Sequence, residues 1–263
     1  MASHLVDLYR QRRLIRQLAY GDFRARHSAA LLGFVWAFVQ PLLSILMYLF
    51  IYQVGFRPMP LGKIPFVLWL IVGIVPWFYF ADALVSSTSC LVEYSYLVKK
   101  VMFNVSLIPT IKLCSAAMTH LVVLVVALII VVASGFPPQW TWLQIPYYLF
   151  ALAVLVSGLS FFTSAVTAFV RDVGQAVVVS MQFAFWLTPV AWSIDNAPAK
   201  FVPWLKLNPL NYLVEGMRDS VLRGVWLWQR PRYALYFWVL ALGLHVVGYS
   251  VFKRLRPHFA DVL

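Results

Sequence analysis

Five stretches free of Asp, Glu, Lys and Arg set the organisation of this chain: 27–56, 64–81, 113–170, 173–194 and 233–252. All are predominantly apolar and none alternates in short barrel-strand lengths. A helix crossing a bilayer needs about 20 such residues, so the 113–170 stretch holds two. GFPPQW at 135–140 divides them, because Pro removes amide donors and Gly permits a turn. The pattern predicts six spanning helices, at about 31–54, 64–86, 110–134, 143–170, 174–194 and 233–252.

Three further segments are amphipathic and too polar or too short to span. Residues 4–26 place Leu5, Leu8, Leu14, Ile15, Leu18 and Ala19 on one side of a helix and Arg10, Arg13, Arg16 and Arg24 on the other. That is an interfacial helix occupying residues 1–29, ahead of a single six-span domain over 30–263. Residues 93–104 read as a second short interfacial helix, ended before Pro109. Residues 205–224, LKLNPLNYLVEGMRDSVLRG, carry a good N-cap in Asn208, Pro209 at the first helical position and Gly224 as the stop. Leu210, Leu213, Val214, Met217 and Val221 form one apolar face. Glu215 can pair with Arg218, and Asp219 with Arg223. About 15 residues at 1.5 Å each give roughly 22 Å, short of a ~30 Å hydrocarbon core. The stretch at about 195–230 therefore either dips into the membrane and returns or lies on its outer surface.

Composition agrees: 62% of residues are hydrophobic and 11% charged, where a soluble domain carries about 25% charged. With the N-terminus inside, inner segments hold 13 of the 21 Lys and Arg and outer segments 8, so both termini are expected in the cytoplasm. The net charge of +12 suits anionic headgroups rather than nucleic acid, because the basic residues flank spans instead of forming one face. The basic N-terminal region is too long, and its first apolar run long enough to span, for a cleaved signal. Cys90 and Cys114, both near the inner face, read as free thiols.

Candidate chemistry is sparse. The five His are scattered, with no metal-binding pair; His120 and His245, inside spans, read most simply as neutral rings hydrogen-bonded between helices. Asp82 reads as an interfacial charge paired with Lys or Arg. No G-x-S-x-G sequence occurs, and the Gly62-Lys63 pair lacks the rest of a phosphate loop, so ATP would have to be bound by another subunit. An ion-gradient transporter is the other transport class. It would be expected to keep several intramembrane acids and inverted repeats, and neither is evident. Aromatics abound: 11 Trp, 13 Tyr and 20 Phe. Many, Trp77 among them, mark span ends, while Trp36, Phe183, Phe185 and Trp186 lie within spans; Trp36, Trp77, Phe185 and Trp186 are the candidate channel aromatics, which could stack on sugar rings.

Several segments in order resemble the permease subunits of type 2 ABC exporters for bacterial polysaccharides. RARHSAALLGFVWAFVQPLL (24–43) is similar to that family's approach to span 1, with Arg26, Leu32, Gly33, Trp36 and Pro41 matching. His27 and Ala30 stand where the family has Tyr and Ser, and no role is carried over to them. VPWFYF (75–80), KKVMFNVSLIP (99–109), RDVGQAVVVSMQFAFWLTPVAW (171–192) and the NPL…E-x-x-R…G element of 208–224 resemble further family segments. The resemblance implies a homodimer in the bacterial inner membrane, paired with two ATPase subunits that hold the ATP and Mg, with no cofactor on this chain. It implies export of a lipid-linked glycan, O-antigen first, capsule or teichoic acid next, with a small-molecule exporter as the outer alternative. It makes 93–104 the coupling helix, with Glu93, Tyr94, Lys99, Lys100 and Phe103 toward the ATPase. It places Arg24, Arg26, Arg171 and Asp172 at the cytoplasmic entrance. Asn208, Pro209, Tyr212, Glu215 and Arg218 would form an external gate.

Overall fold

A computed structural model describes residues 9–28, 35–51, 64–99 and 104–263, which are helical with no strand among them. The helices are α1 (Arg12–Ser28), α2 (Trp36–Phe50), α3 (Phe66–Thr88), α4 (Cys90–Glu93), α5 (Ser95–Val98) and α6 (Leu107–Ala133). They continue with α7 (Ile145–Thr167), α8 (Asp172–Leu187), α9 (Val202–Lys206), α10 (Pro209–Arg218), α11 (Pro231–Leu255) and α12 (Phe259–Val262). Four are long and apolar enough to cross a membrane: α3, α6, α7 with the turn before it, and α11 with its extension.

Two of the six expected spans are shorter among the described residues. Helix α2 has 15 of them. Helix α8 has 16, about 24 Å, and stops seven residues before the expected end at 194. Pro189 is the cause: the residue before a proline avoids the helical region, and Thr188 is extended at ψ 132°. Pro109 does not end a helix either. It sits in the first turn of α6, where its missing amide has no helical partner to lose. The expected continuous helix over 93–104 is instead α4 and α5, broken at Tyr94, with 100–103 outside the described residues.

Helix α3 is apolar all round and buried on nearly every side, so it forms the centre. It packs against α6, α7 and α10, with Ser87 Oγ 2.6 Å from Ser160 Oγ and Thr88 Oγ1 2.8 Å from Thr163 Oγ1 on α7. Helix α11 lies along α7. His245 Nδ1 is 2.8 Å from Ser157 Oγ across that seam, the hydrogen bond between helices expected of it. His120 differs. It lies against the Tyr79 ring at 5.0 Å, and neither ring nitrogen has a hydrogen bond among the described residues. At the α7–α11 crossing a Cβ on Gly158 would stand 2.6 Å from the His245 amide nitrogen, and one on Gly248 would strike the Gly158 carbonyl. Gly248→Leu is expected to lower the thermal midpoint of the purified protein by an overpacking cost of about 1–3 kcal/mol. Gly243→Leu, with open space around its Cβ, should leave it unchanged. Equal midpoints for the two variants would refute the close crossing.

Helix α1 packs along α6 rather than only lying in lipid. Its buried stripe is Ile15 and Ala19, against Leu107 and Ile111, followed one turn on by buried Asp22; Leu14, expected on that face, is exposed. Leu5 and Leu8 lie outside the described residues.

Candidate functional site

Two charged clusters sit near opposite ends of α3. Trp69 meets one and Asp82 the other, thirteen residues apart, or about 20 Å along the helix.

The first is built on α10. Asn208 caps it: its Oδ1 accepts from the Leu210 amide at 3.0 Å, and its Nδ2 donates to Thr188 Oγ1 at 2.8 Å. Pro209 takes the first position, and the face of Leu210, Leu213, Val214, Met217 and Val221 is buried throughout, as the sequence pattern requires. Arg218 ends the helix and is 0% exposed. Its Nε donates to the Trp69 carbonyl (3.2 Å), its Nη1 to the Pro189 carbonyl (2.9 Å) and to Glu215 (2.7 Å), and its Nη2 to the Val190 carbonyl (2.6 Å). The guanidinium also lies 3.3 Å from the centroid of the Trp69 ring, a cation–π contact. Room for it exists because residue 73 is Gly; a Cβ there would collide with the guanidinium. One side chain thus ties α10 to α3 and to the turn ending α8.

The charges continue in alternation. The second Glu215 oxygen accepts from Arg223 at 2.6 Å, Arg223 reaches Asp219 at 3.0 Å, and Arg230 holds the other Asp219 oxygen at 3.0 Å. Alternating signs let a buried polar network exist, since each charge faces its opposite. Both pairings expected from spacing are present, and Glu215 also bridges two arginines. After Arg218 the chain winds into one π turn (Asp219–Arg223) and stops at Gly224, which is left-handed at φ 67°.

The carbonyls at that helix end are satisfied from elsewhere. Thr141 Oγ1 donates to Ser220 O (2.7 Å), Trp142 Nε1 to Val221 O (3.2 Å) and Gln144 Nε2 to Val225 O (3.0 Å), while Gln144 Oε1 accepts the Leu227 amide at 2.6 Å. Sequence reasoning missed Thr141 and Gln144, and counted Trp142 only among the aromatics that mark span ends. Their signal was faint: two polar side chains in WTWLQ, at the end of a divider read only as a turn. Tyr212, expected at the gate, is a core residue. It stacks on Phe237 at 4.8 Å, and its hydroxyl lies 2.8 Å from that of Tyr147.

The second cluster joins α1 to α4 and α6. Buried Asp22 lies 2.8 Å from Lys112 Nζ and accepts from the Tyr94 hydroxyl at 2.6 Å. Arg26 Nε stands 2.9 Å from its other oxygen, an ion pair without in-line hydrogen-bond geometry. Lys112 also reaches Glu93 at 2.6 Å, and Arg26 lies 3.3 Å from Asp82, the interfacial pairing expected of Asp82. Burial alone would raise the Asp22 carboxyl pKa. Hydrogen bonds from Lys112 and Tyr94 and the Arg26 charge outweigh it and hold the pKa below its ordinary value. Asp22 and Lys112 were not singled out from sequence. The available hint was an acid on the apolar stripe of α1, with a lysine at the edge of the 113–170 apolar run.

Arg24, Arg171 and Asp172 are exposed, and among the described residues no ion pair joins Arg171 or Asp172 to Arg24 or Arg26. Lys99 is exposed at the end of α5; Lys100 and Phe103 lie outside the described residues, as does the Trp36 side chain. Trp77 and Phe185 pack together at 5.4 Å inside the core, with Tyr48 stacked on Phe185 at 5.1 Å. Trp186 is 59% exposed, on a face of α8 that also presents Gln175, Gln182 and Phe183.

Residues 13–222 match the family described as ABC-2 type transporter. The chain is 27% identical over 244 residues to an O-antigen export system permease protein RfbA of Klebsiella pneumoniae, covering 92% of each chain. It is 26% identical over 207 residues to the protein of that name from Myxococcus xanthus, covering 78% of each. It is also 23% identical over 221 residues to the polysialic acid transport protein KpsM of Escherichia coli, covering 81% of this chain and 83% of that one.

Proposed function

The chain belongs to the ABC-2 type transporter family, and from that premise we propose that it is the channel-forming permease of an ATP-driven exporter of lipid-linked polysaccharide, with O-antigen the first candidate cargo. The observation that carries this reading is the similarity, over 92% and 78% of each chain, to relatives whose names specify O-antigen export. KpsM keeps capsule-type glycans as the second cargo. In this reading α2 and α8 complete six spans, both termini face the cytoplasm, and two copies enclose the path. The sequence has no phosphate loop, so ATP and Mg belong to a separate subunit.

The two clusters then acquire roles. The α1 cluster lies at the cytoplasmic end, where α4 and α5 receive the ATPase. Because Glu93 and Asp22 both grip Lys112, a push on α4 passes to α6 and α1 as a rigid-body movement. The α10 cluster is the outer gate, a re-entrant element whose charges are tolerable because they satisfy one another. The exposed Gln175, Gln182, Phe183 and Trp186 of α8 line the glycan path. Amides and ring faces hold sugars weakly enough for a polymer to slide.

Glu93 is already engaged within the chain, so exposed Lys99 is the cleaner probe of ATPase docking. The purified chain is expected to hydrolyse no ATP, and to support glycan export only with a co-expressed ATPase. Lys99→Glu should abolish export with membrane insertion intact. Robust ATP hydrolysis by the chain alone would overturn the assignment of ATP to a second subunit, and full export by Lys99→Glu would overturn the docking role of α5.

A further inference from the structure

Beside the gate lies a cavity of about 720 Å³, within the size range of ligand sites. Its wall carries Lys206, Arg223, Arg230 and Arg232 against only Asp195 and Glu215. Glu215 and Arg223 engage each other, and Arg230 is held by Asp219. Asp195 accepts a hydrogen bond from Ser193 Oγ at 3.2 Å. Lys206 and Arg232 are exposed, and neither makes an ion pair among the described residues, so the cavity has a surplus of positive charge.

Two further features sharpen its chemistry. The N-terminus of α11, a 25-residue helix, opens onto the cavity through Pro231, Arg232 and Tyr233, with no acidic residue in its first turn and no side-chain cap. Asn211, on the cavity wall and 2% exposed, donates its Nδ2 to the Tyr233 hydroxyl at 2.7 Å, and that hydroxyl donates to the Lys206 carbonyl at 3.1 Å. The hydroxyl proton is therefore committed, and Asn211 Oδ1 is left a buried acceptor without a donor among the described residues. A fitting ligand brings an anion for the cations and a hydroxyl for Asn211.

What lies below the cavity identifies the ligand further. Arg232 heads a stripe on α11 formed by Leu235, Val239, Leu242 and Val246, spaced four, three and four residues apart on one helix face. Leu235 and Val239 are 67% and 66% exposed. The α9 side presents exposed Phe201, Trp204 and Leu207, and exposed Trp228 stacks on Trp226 at 4.4 Å, the aromatic anchors of a headgroup layer. A cationic, hydroxyl-seeking cavity at the top of an apolar track matches one amphiphile. We propose that this cavity binds the headgroup of an anionic, hydroxyl-bearing phospholipid such as phosphatidylglycerol. Its phosphate would sit by Lys206, Arg232 and the α11 N-terminus, its glycerol toward Asn211, and its acyl chains along Leu235 to Val246.

The test is native mass spectrometry of the full chain released from phosphatidylcholine nanodiscs containing a minority of phosphatidylglycerol. Wild type should retain phosphatidylglycerol over phosphatidylcholine. Each cation removed in Lys206→Gln and Arg232→Gln should cut that retention about fivefold. Both residues are exposed, so the variants should melt with wild type. Val239→Gln should weaken lipid retention without weakening the binding of soluble glycerol phosphate seen in the same spectra, because it removes only the chain track. Equal retention of the two lipids, or undiminished phosphatidylglycerol on the double variant, would overturn the proposal. So would displacement of the lipid by acidic oligosaccharide with the same dependence on Arg232, which would give the cavity to an anionic glycan.

Discussion

Arg218→Met is expected to abolish export and to cost the protein about 3–5 kcal/mol, the usual consequence of removing one member of a buried ion pair. Arg218 has no access to water and makes five polar or cation–π contacts with three separate elements. Methionine fills the volume but leaves the carbonyls of Pro189 and Val190, which lie past the end of α8, without the Arg218 donor, each worth about 1–3 kcal/mol when buried unpaired. Arg218→Lys should fail nearly as badly, because a single ammonium cannot reproduce the planar fork that serves both Pro189 and Val190. Glu215→Gln should be milder in stability, since it keeps an acceptor for Arg223, yet it should still alter gating. Thermal melting read together with glycan export measures both effects. Wild-type export by Arg218→Met would show that the tether between α10, α3 and the α8 turn is dispensable.

Lys112→Met is expected to uncouple the exporter. The substitution frees Glu93 and leaves Asp22 with Arg26 and Tyr94, so α4 is no longer joined to α6 and α1 through one ammonium. The expected signature is continued ATP hydrolysis by the assembled exporter with export reduced at least about tenfold, a coupling change of roughly 1.4 kcal/mol. Proportional loss of both activities would point to plain misfolding. The same cluster sets a pH dependence. The Asp22 carboxyl is held below its ordinary value of 3.8, so it contributes stability above that pH and loses it as pH falls through the lower folded value. Protection of α1 from hydrogen exchange should therefore be flat from neutral pH down to the ordinary carboxylate range and fall below it. Asp22→Asn should abolish that acid step.

The apolar runs alone fixed where the long helices lie, because a membrane helix must be built from about 20 consecutive apolar residues whatever it packs against. Expected spans 2, 3, 4 and 6 lie within a few residues of α3, α6, α7 and α11. Helix α10 was equally legible, since its cap, its proline start, its glycine stop and its i+3 and i+4 charge pairs are all local. The absence of a phosphate loop likewise needed only the chain itself.

What the chain could not state was which distant residues meet. Glu215 and Arg218 are three apart, but Arg218 and Trp69 are separated by 149 positions, and nothing local assigns a buried arginine to a carbonyl on another helix. Asp22 and Lys112 lie 90 positions apart in the chain, and only folding puts them 2.8 Å from each other. Trp77 and Phe185 read as channel aromatics because period and composition cannot distinguish a core-facing ring from a path-facing one. Burial and long-range pairing belong to the packed molecule, and only the tertiary structure could decide that α10, α4 and α1 are each held by a few charges joining distant helices.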